Sequence, residues 1–573
     1  MMPTQTTRPV QRMFLWTGLL ACLLLLISCA TDPDSETATS APDPTTTVPP
    51  TPTAEPDLLV DGTAGFPWWN DTVFYEIFVR SFYDSDGDGV GDINGLIEKL
   101  DYLNDGDPQT TDDLGITGIW LMPVMASTSY HGYDVVDYYQ IDEAYGSNED
   151  FQRLIEEAHA RGIRVIVDLV INHTGREHPW FVESRDPASE RRDWYIWEET
   201  NPGYQGPDGQ PVWHRASSGY YYGVFWDGMP DLNYANPDVT AAIKDATRFW
   251  AEEMGVDGFR IDAIKHLIEE GERQENTGAT HEWFGDYFDF YKGLDPDLFA
   301  VGEAWTATRE IINYTGDEVD IAFEFDLALS ILSSARSRNA RAVAMKMGSV
   351  VRDYPPLQYA TFLTNHDQNR VVSVLDNSDA KAAVAATILL TSPGVPFIYY
   401  GEEIGMTGVK PDEDLRRPMQ WAGDGPGVGF TSGTPWRAPA ADYPERNVAL
   451  QTDAPDSLLN HYRALIALRN EHEALRVGDW LPVVTRSSGV YAFVRETESE
   501  TILVVVNLAS EPTAAGDYAL ELDESRLVGP LTVETLLGAE AVNGPALTTS
   551  GGFTGYVPVE TLGAQSSLII RLR

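Results

Sequence analysis

Gly258-Phe259-Arg260-Ile261-Asp262-Ala263-Ile264-Lys265-His266 is the stretch that decides how the chain is read. Apolar residues leading into Arg-x-Asp predict a buried strand that delivers two charged groups to its C-terminal mouth. Side chains two apart on a strand point to one side, so Arg260 lies beside Asp262 and compensates an ionised carboxylate there. A carboxylate kept ionised and aimed into a cleft is what a covalent nucleophile requires. A structural ion pair at a strand end is the competing reading, and the surrounding chain has to choose between them.

Outward from this stretch, short apolar runs alternate with amphipathic helical ones. Strands are expected at Val73–Val79, Gly118–Met122, Val165–Val170, Gly258–Asp262, Phe299–Glu303, Ile321–Phe325, Tyr359–Thr364 and Pro396–Tyr400. Helical stretches such as Glu149–Ala160, Val239–Glu253, Ser378–Leu390 and Ser457–Glu471 follow several of them. Strand–helix repeats of this number fit a (β/α)₈ TIM barrel better than a doubly wound open sheet. The barrel is expected over 66–172 and 237–473, with a small domain inserted after strand 3 over 173–236. That insertion carries Trp194, Tyr195, Trp197, Trp213, Tyr221, Tyr222 and Trp226, which either form its core or line a groove where sugar rings stack. From 474 to 573 alternating segments (Gly489–Val494, Thr501–Val506, Ser567–Leu572) predict a C-terminal antiparallel β-sandwich.

Composition narrows the partners. The chain carries 88 Asp+Glu against 39 Lys+Arg, a formal net charge of -49. Such a surface repels nucleic acid and anionic lipid and leaves neutral substrates or cations as partners. Adaptation to high salt produces the same balance and predicts activity that rises with salt. Residues 1–29 read as a lipoprotein-type signal peptide: Arg8 and Arg12 precede an apolar core, Leu19 to Ile27, too short to span a membrane. Leu26-Ile27-Ser28-Cys29 resembles a lipobox, in which Cys29 becomes the lipid-modified N-terminus; an ordinary signal that contains a cysteine is the alternative. Residues 30–65, rich in Thr, Pro and acids, read as a disordered tether. The expectation is an exported monomer at the cell surface or facing the periplasm, touching membrane only through that lipid. Cys22 lies inside the signal, so the mature domain forms no internal disulfide and has no cysteine-based zinc site or thiol catalyst.

The active sites of such barrels lie at the C-terminal ends of the strands. Here strand three ends Asp168-Leu-Val-Ile-Asn172-His173, strand four Arg260-Ile-Asp262, strand five Gly302-Glu303-Ala304-Trp305 and strand seven Asn365-His366-Asp367. Separate acids converging on one mouth suggest glycoside chemistry by paired carboxylates. One acid must be ionised to attack the anomeric carbon and another protonated to supply the leaving oxygen, and crowding by like charge is expected to raise the second.

These four segments resemble the signature regions of glycoside hydrolase family 13, the α-amylase family, and the likeness runs from about Trp68 to the C-terminus. The resemblance implies Asp262 as nucleophile, Glu303 as acid/base and Asp367 as the third carboxylate, gripping sugar hydroxyls in the distorted state. It also implies that Asp168, His173, Arg260 and His366 complete the subsite for the reacting glucose, with His131 and Tyr133 as its hydrogen-bonding and stacking residues. Lys265 and His266 look like the pair that meets the leaving group in α-1,4-acting members. His131, where exo-acting α-glucosidases usually place Asp, resembles the open cleft of endo-acting α-amylases. Met229-Pro230-Asp231-Leu232-Asn233 is similar to neopullulanase-like enzymes and an intermediate group of α-amylases, whereas Arg417-Pro418-Met419-Gln420-Trp421 is similar to the oligo-1,6-glucosidase branch. An α-amylase acting on starch and maltooligosaccharides is thus expected. A neopullulanase- or cyclomaltodextrinase-like enzyme, an α-glucosidase or transglycosylase, and more remotely a non-catalytic glucan-binding barrel, are the alternatives.

Asp84-Ser-Asp86-Gly-Asp88-Gly-Val90-Gly-Asp92, after the first strand, places acids at relative positions 1, 3, 5 and 9 with glycine at 6. Gly95 stands where an EF-hand has its bidentate glutamate, so this is not an EF-hand. The loop resembles the calcium loop of several family members, which implies Asp84, Asp86, Asp88, Asp92 and the Val90 carbonyl as ligands of Ca2+. The resemblance also implies Asn172 and Asp231 as ligands of a second calcium beneath the cleft, as in many α-amylases.

Overall fold

The computed structural model describes residues 58–425, 427–538 and 541–573. The signal, Cys29 and most of the tether lie outside them. Among the described residues no helix is long and apolar enough to cross a membrane.

Eight strands close a barrel: β1 Phe74–Ile77, β2 Gly118–Leu121, β3 Arg164–Leu169, β4 Gly258–Ile261, β5 Phe299–Gly302, β6 Ile321–Phe323, β7 Tyr359–Thr361 and β8 Val395–Tyr399. Every neighbouring pair is parallel, and β1 pairs with both β2 and β8, which leaves no open edge. A sheet buried on both faces favours continuous apolar runs, which is why all eight are legible as such. Alternation then sorts the side chains. Phe74, Trp120, Ile166, Phe299, Val301, Phe323 and Phe397 fill the interior, with the Phe74 and Phe397 rings stacked at 4.5 Å and Trp68 and Trp69 closing the base. Tyr75, Ile119, Val165, Phe259 and Ala300 face the surrounding helices. Gly258 enters this interior so tightly that a Cβ would lie 2.2 Å from the Phe299 carbonyl oxygen.

The same alternation builds the mouth. Two residues beyond Phe74 on β1 comes Glu76, beyond Ile166 on β3 Asp168, beyond Gly258 on β4 Arg260 and then Asp262, and beyond Val301 on β5 Glu303. The segment between β3 and β4 is pinned at its neck by a bridge between His173 and Asp231 and carries a three-stranded antiparallel sheet of Trp197–Glu198, Gly219–Tyr222 and Trp213–Ala216. Seven of the C-terminal strands form one antiparallel order, and Thr513–Ala514 pairs separately with Thr561–Leu562. Strand Asp479–Thr485 pairs through its first residues with Val490–Glu496 and through its last with Leu520–Glu524, so the sheet folds over one core that includes Val494, Leu503, Leu522, Phe553 and Ile570.

Candidate active site

The strand ends open into a cavity of about 660 Å³ whose walls include Asp262, Glu303, Asp367, His131, Tyr133, His173, Lys265 and His266. Its floor is organised by Arg260. Nη1 of that guanidinium donates to Asp168 Oδ1 at 2.7 Å and Oδ2 at 2.9 Å and to Asp262 Oδ1 at 2.7 Å, and Nη2 lies 3.4 Å from Glu303 Oε2. One buried cation therefore holds three carboxylates. Directly after Asp262 the backbone of Ala263 adopts the left-handed region, φ 50°, a strained setting for a residue with a Cβ. That turn aims the Ala263 N–H at Glu303 Oε2, 3.1 Å away.

The acids are differentiated by their surroundings. Burial is the largest influence raising the Glu303 carboxyl; Arg260 opposes it, and the charges of Asp262 and Asp367 add to it. The expectation that crowding does this work is thus corrected: desolvation leads and like charge assists. Asp367 accepts from Arg416 Nη2 at 2.8 Å and lies 3.2 Å from His366 Nε2. Burial would raise it, but His366, Arg416 and Arg260 outweigh that and hold it well below the usual carboxylate range. Burial pulls His366 down, yet Asp367 and Glu76 push it up to about 9, with Nδ1 2.5 Å from Glu76 Oε1.

Several expected sugar contacts belong to the layer beneath. Asp168, Arg260 and His366 are at most 1 % exposed and do not line the cavity. They sit one step down the strand alternation from the mouth: Asp168 is filled by Arg260 and by the Tyr133 hydroxyl at 2.9 Å, and burial pushes its carboxyl up to about 7 against the pull of Arg260. Arg260 pairs with Asp168 and Asp262, and His366 lies 3.2 Å from Asp367. His173 lines the wall, but Nε2 faces the Tyr133 carbonyl at 3.1 Å and Nδ1 faces the Asn172 amide at 3.4 Å, so both nitrogens are used within the protein. His131 is different. Its Nδ1 accepts from the Tyr133 N–H at 3.1 Å, which leaves the other ring nitrogen for the cavity. His266 donates from Nδ1 to the Gln274 carbonyl at 2.9 Å, and Lys265 pairs with Glu275 at 2.8 Å; both line the cavity.

Of the insertion's aromatics, only Trp226 among those singled out reaches the cavity, where it is 49 % exposed. Tyr195, Trp213, Tyr221 and Tyr222 are buried, and Trp194 and Trp197 pack against that core. Residues that sequence reasoning missed complete the walls: Phe225, Asp208, Asp412, Arg416 and Trp305. Trp305 is 50 % exposed and lies flat on Phe325 with ring centroids 4.9 Å apart. Glu76 was reachable by the two-residue alternation from Phe74, whereas nothing in the sequence around Arg416 marks it as a partner of Asp367.

The acidic loop after β1 brings carboxylate oxygens of Asp84, Asp86 and Asp88 within 4.8 Å of one another, a donor set of hard oxygens that fits calcium. The Asp92 carboxylate caps the next helix by accepting from Gly95 N at 2.7 Å and also takes the Ser85 N–H and hydroxyl at 2.8 Å. The Val90 N–H donates to Asp88 Oδ1 at 2.7 Å. Asp84 accepts from the Gly87 and Gly89 amides and from Thr431; burial opposes them, and they hold its carboxyl low. Beneath the cleft, Asn172 Oδ1, Asp231 Oδ2 and Glu269 Oε1 are buried oxygens without hydrogen-bond partners. Burial raises both acids, Asp231 to about 8, and Asp231 raises Glu269 further, a cluster short of positive charge that also fits a hard cation.

A family model described as "Alpha amylase, catalytic domain" matches residues 76–478. "Alpha-amylase 3" of Dictyoglomus thermophilum is 41% identical over 452 residues, covering 77% of this chain and 85% of that protein. "Trehalose synthase/amylase TreS" of Mycobacterium tuberculosis is 34% identical over 512 residues, covering 78% and 82%. The crystal structure of an alpha-amylase from H.orenii superposes with a TM-score of 0.76 at 40% identity, over 88% of this chain and 99% of that one.

Proposed function

The chain belongs to the α-amylase family of glycoside hydrolases, and from that premise we propose that it is a retaining enzyme that cuts internal α-1,4 bonds of starch and maltodextrins. The observation that carries this reading is the clamp of Arg260 on both Asp262 and Glu303, which suits the short carboxyl separation of a retaining pair.

Asp262 attacks the anomeric carbon as the bond to the leaving oxygen breaks, and Glu303 gives its proton to that oxygen. A glycosyl ester on Asp262 results. Glu303, now ionised, takes a proton from water, the water oxygen attacks the anomeric carbon, and Asp262 leaves as carboxylate. Asp367, kept ionised by Arg416 and His366, faces the reacting sugar and stabilises its positive charge. Asp262→Asn should keep the fold and glucan binding while turnover falls by about 10⁴-fold or more. Soluble starch should lose viscosity while mixed maltodextrins appear; release of glucose alone would argue for an exo-acting enzyme.

Transfer to a sugar instead of water is the second reading. It is favoured by Trp305, half exposed beside Glu303 and braced on Phe325, a platform on which an acceptor ring could stack, and by the TreS likeness. Longer products from maltotriose, or trehalose from maltose, would support it.

Asp84, Asp86 and Asp88 would hold one calcium and Asn172, Asp231 and Glu269 a second. When bound, these ions neutralise buried or crowded carboxylates and supply no step of the reaction. We also propose that the protein is exported and lipid-anchored at Cys29; a Cys29→Ser chain released from membranes and unlabelled by palmitate would fit, and one still membrane-bound would not.

A further inference from the structure

The end of the barrel away from the cleft holds two arginines that nothing above uses. Arg469, on helix Leu458–Glu471, and Arg495, on strand Val490–Glu496 of the C-terminal sheet, are each 0 % exposed. Among the described residues neither forms an ion pair with a carboxylate. The acids whose charge they feel are engaged elsewhere: Asp71 with Arg476 at 2.8 Å and Asp479 with Arg526 at 2.7 Å.

What they do bind is backbone. Arg469 Nη1 donates to the Leu390 and Ser392 carbonyls at 3.0 Å and Nη2 to Gly394 at 2.6 Å. Arg495 Nη1 donates to Thr391 at 2.9 Å, and its other nitrogens donate to Gly478. Four of these acceptors are the last carbonyls and exit of helix Asp379–Thr391, whose negative end is worth only about half a charge. Two guanidiniums exceed it. Burial and the neighbouring guanidiniums accordingly pull Arg469 down to about 9, and burial pulls Arg495 down to about 10.

Donors are also in surplus at this spot. Arg469 Nε, the Tyr359 hydroxyl and the Ser392 hydroxyl are buried with no hydrogen-bond partner. Tyr359 opens β7 and its ring lies against Gly394, where a Cβ would come within 2.6 Å of it; its hydroxyl feels both guanidiniums. Ser392 is the residue whose carbonyl already holds Arg469. Leaving such groups unpaired costs about 1–3 kcal/mol each. Water would bring two donors of its own to a ring short of acceptors, whereas a small anion brings none.

We propose that this spot binds a halide ion, chloride being the obvious one, between Arg469, Arg495 and the Tyr359 and Ser392 hydroxyls, and that the ion fastens the C-terminal sheet to the base of the barrel. The site is distinct from the cleft: it lies at the opposite ends of β7 and β8. Thermal unfolding of the full-length protein tests it, in sodium chloride against sodium isethionate at one fixed ionic strength. Tm should rise with chloride and saturate. Tyr359→Phe removes one donor and should move half-saturation to about tenfold higher chloride. Crystals soaked in sodium bromide should carry an anomalous peak within hydrogen-bonding reach of Arg469 Nε. Equal Tm in the two salts, a chloride effect that Tyr359→Phe leaves untouched, or water in place of bromide would each overturn the proposal.

Discussion

Asp262 accepts a hydrogen bond at 2.7 Å from Arg260, two residues earlier on the same strand. The contact is possible because the strand alternation points both side chains into the barrel mouth. Arg260 is spent on Asp168 below and Glu303 beside as well, so a single buried cation sets the relative placement of the two acids proposed to flank one glycosidic bond. Removing it would strand three carboxylates in a buried site, an expensive outcome for any fold.

The pH profile should carry the mark of Glu303. Burial, aided by Asp262 and Asp367, raises its carboxyl, so the proton it must donate is retained above the ordinary glutamate range of about 4.3. As pH rises through the raised value the acid is lost, and kcat/KM should fall on that alkaline limb. Glu303→Gln should erase the limb and cost about 10³-fold on starch while sparing α-glucosyl fluoride, whose leaving group needs no proton. A limb that survives in Glu303→Gln assigns the acid elsewhere.

His366 and Glu76 should link stability to pH. The folded imidazole is raised to about 9 from an ordinary 6.5. Its contribution is therefore complete below about 6.5 and lost as pH climbs through about 9, on the order of 3 kcal/mol in all. Urea unfolding of the wild type between those pH values should show that loss. Glu76→Gln should flatten it, and an unchanged slope would show that the pair is not charged in the native state.

Trp305 should affect binding more than chemistry. Stacked on Phe325 and half exposed, it offers a face to a sugar on the leaving-group or acceptor side. Trp305→Ala should raise KM for maltodextrins by about tenfold and lower the share of transfer products, with hydrolysis of α-glucosyl fluoride little changed. Equal losses on both substrates would assign it a structural role.

Chelation should destabilise the protein. Stripping calcium should lower Tm by about 5 °C or more, and Asp86→Asn should shrink that response. Asp86 is the cleaner probe, because Asp84 also binds the loop amides. If Tm is indifferent to chelator, both proposed cation sites are wrong.

The barrel was legible because its strands are buried on both faces and so read as apolar runs; β4 and β5 fall within one residue of expectation. The acids at their ends were legible for the same reason, since charge after such a run has few structural uses. Depth was not. Asp168, Arg260 and His366 share the motifs of the cleft residues, yet lie a layer below, and only packing distinguishes a side chain at the mouth from one beneath it. Asp92 reads as a loop ligand in the sequence and caps the next helix in the structure, because both tasks ask for the same residue type at one position. Arg416 was missed because its link to Asp367 spans 49 residues.

Covalent trapping tests the central claim most directly. The enzyme would be incubated with 5-fluoro-α-glucosyl fluoride, which forms the ester quickly and releases it slowly, and then digested for peptide mass spectrometry. A fluoroglucosyl adduct on Asp262, absent from Asp262→Asn, is the predicted result. An adduct on another residue, or no adduct from an enzyme whose products appear with inverted anomeric configuration, would contradict it.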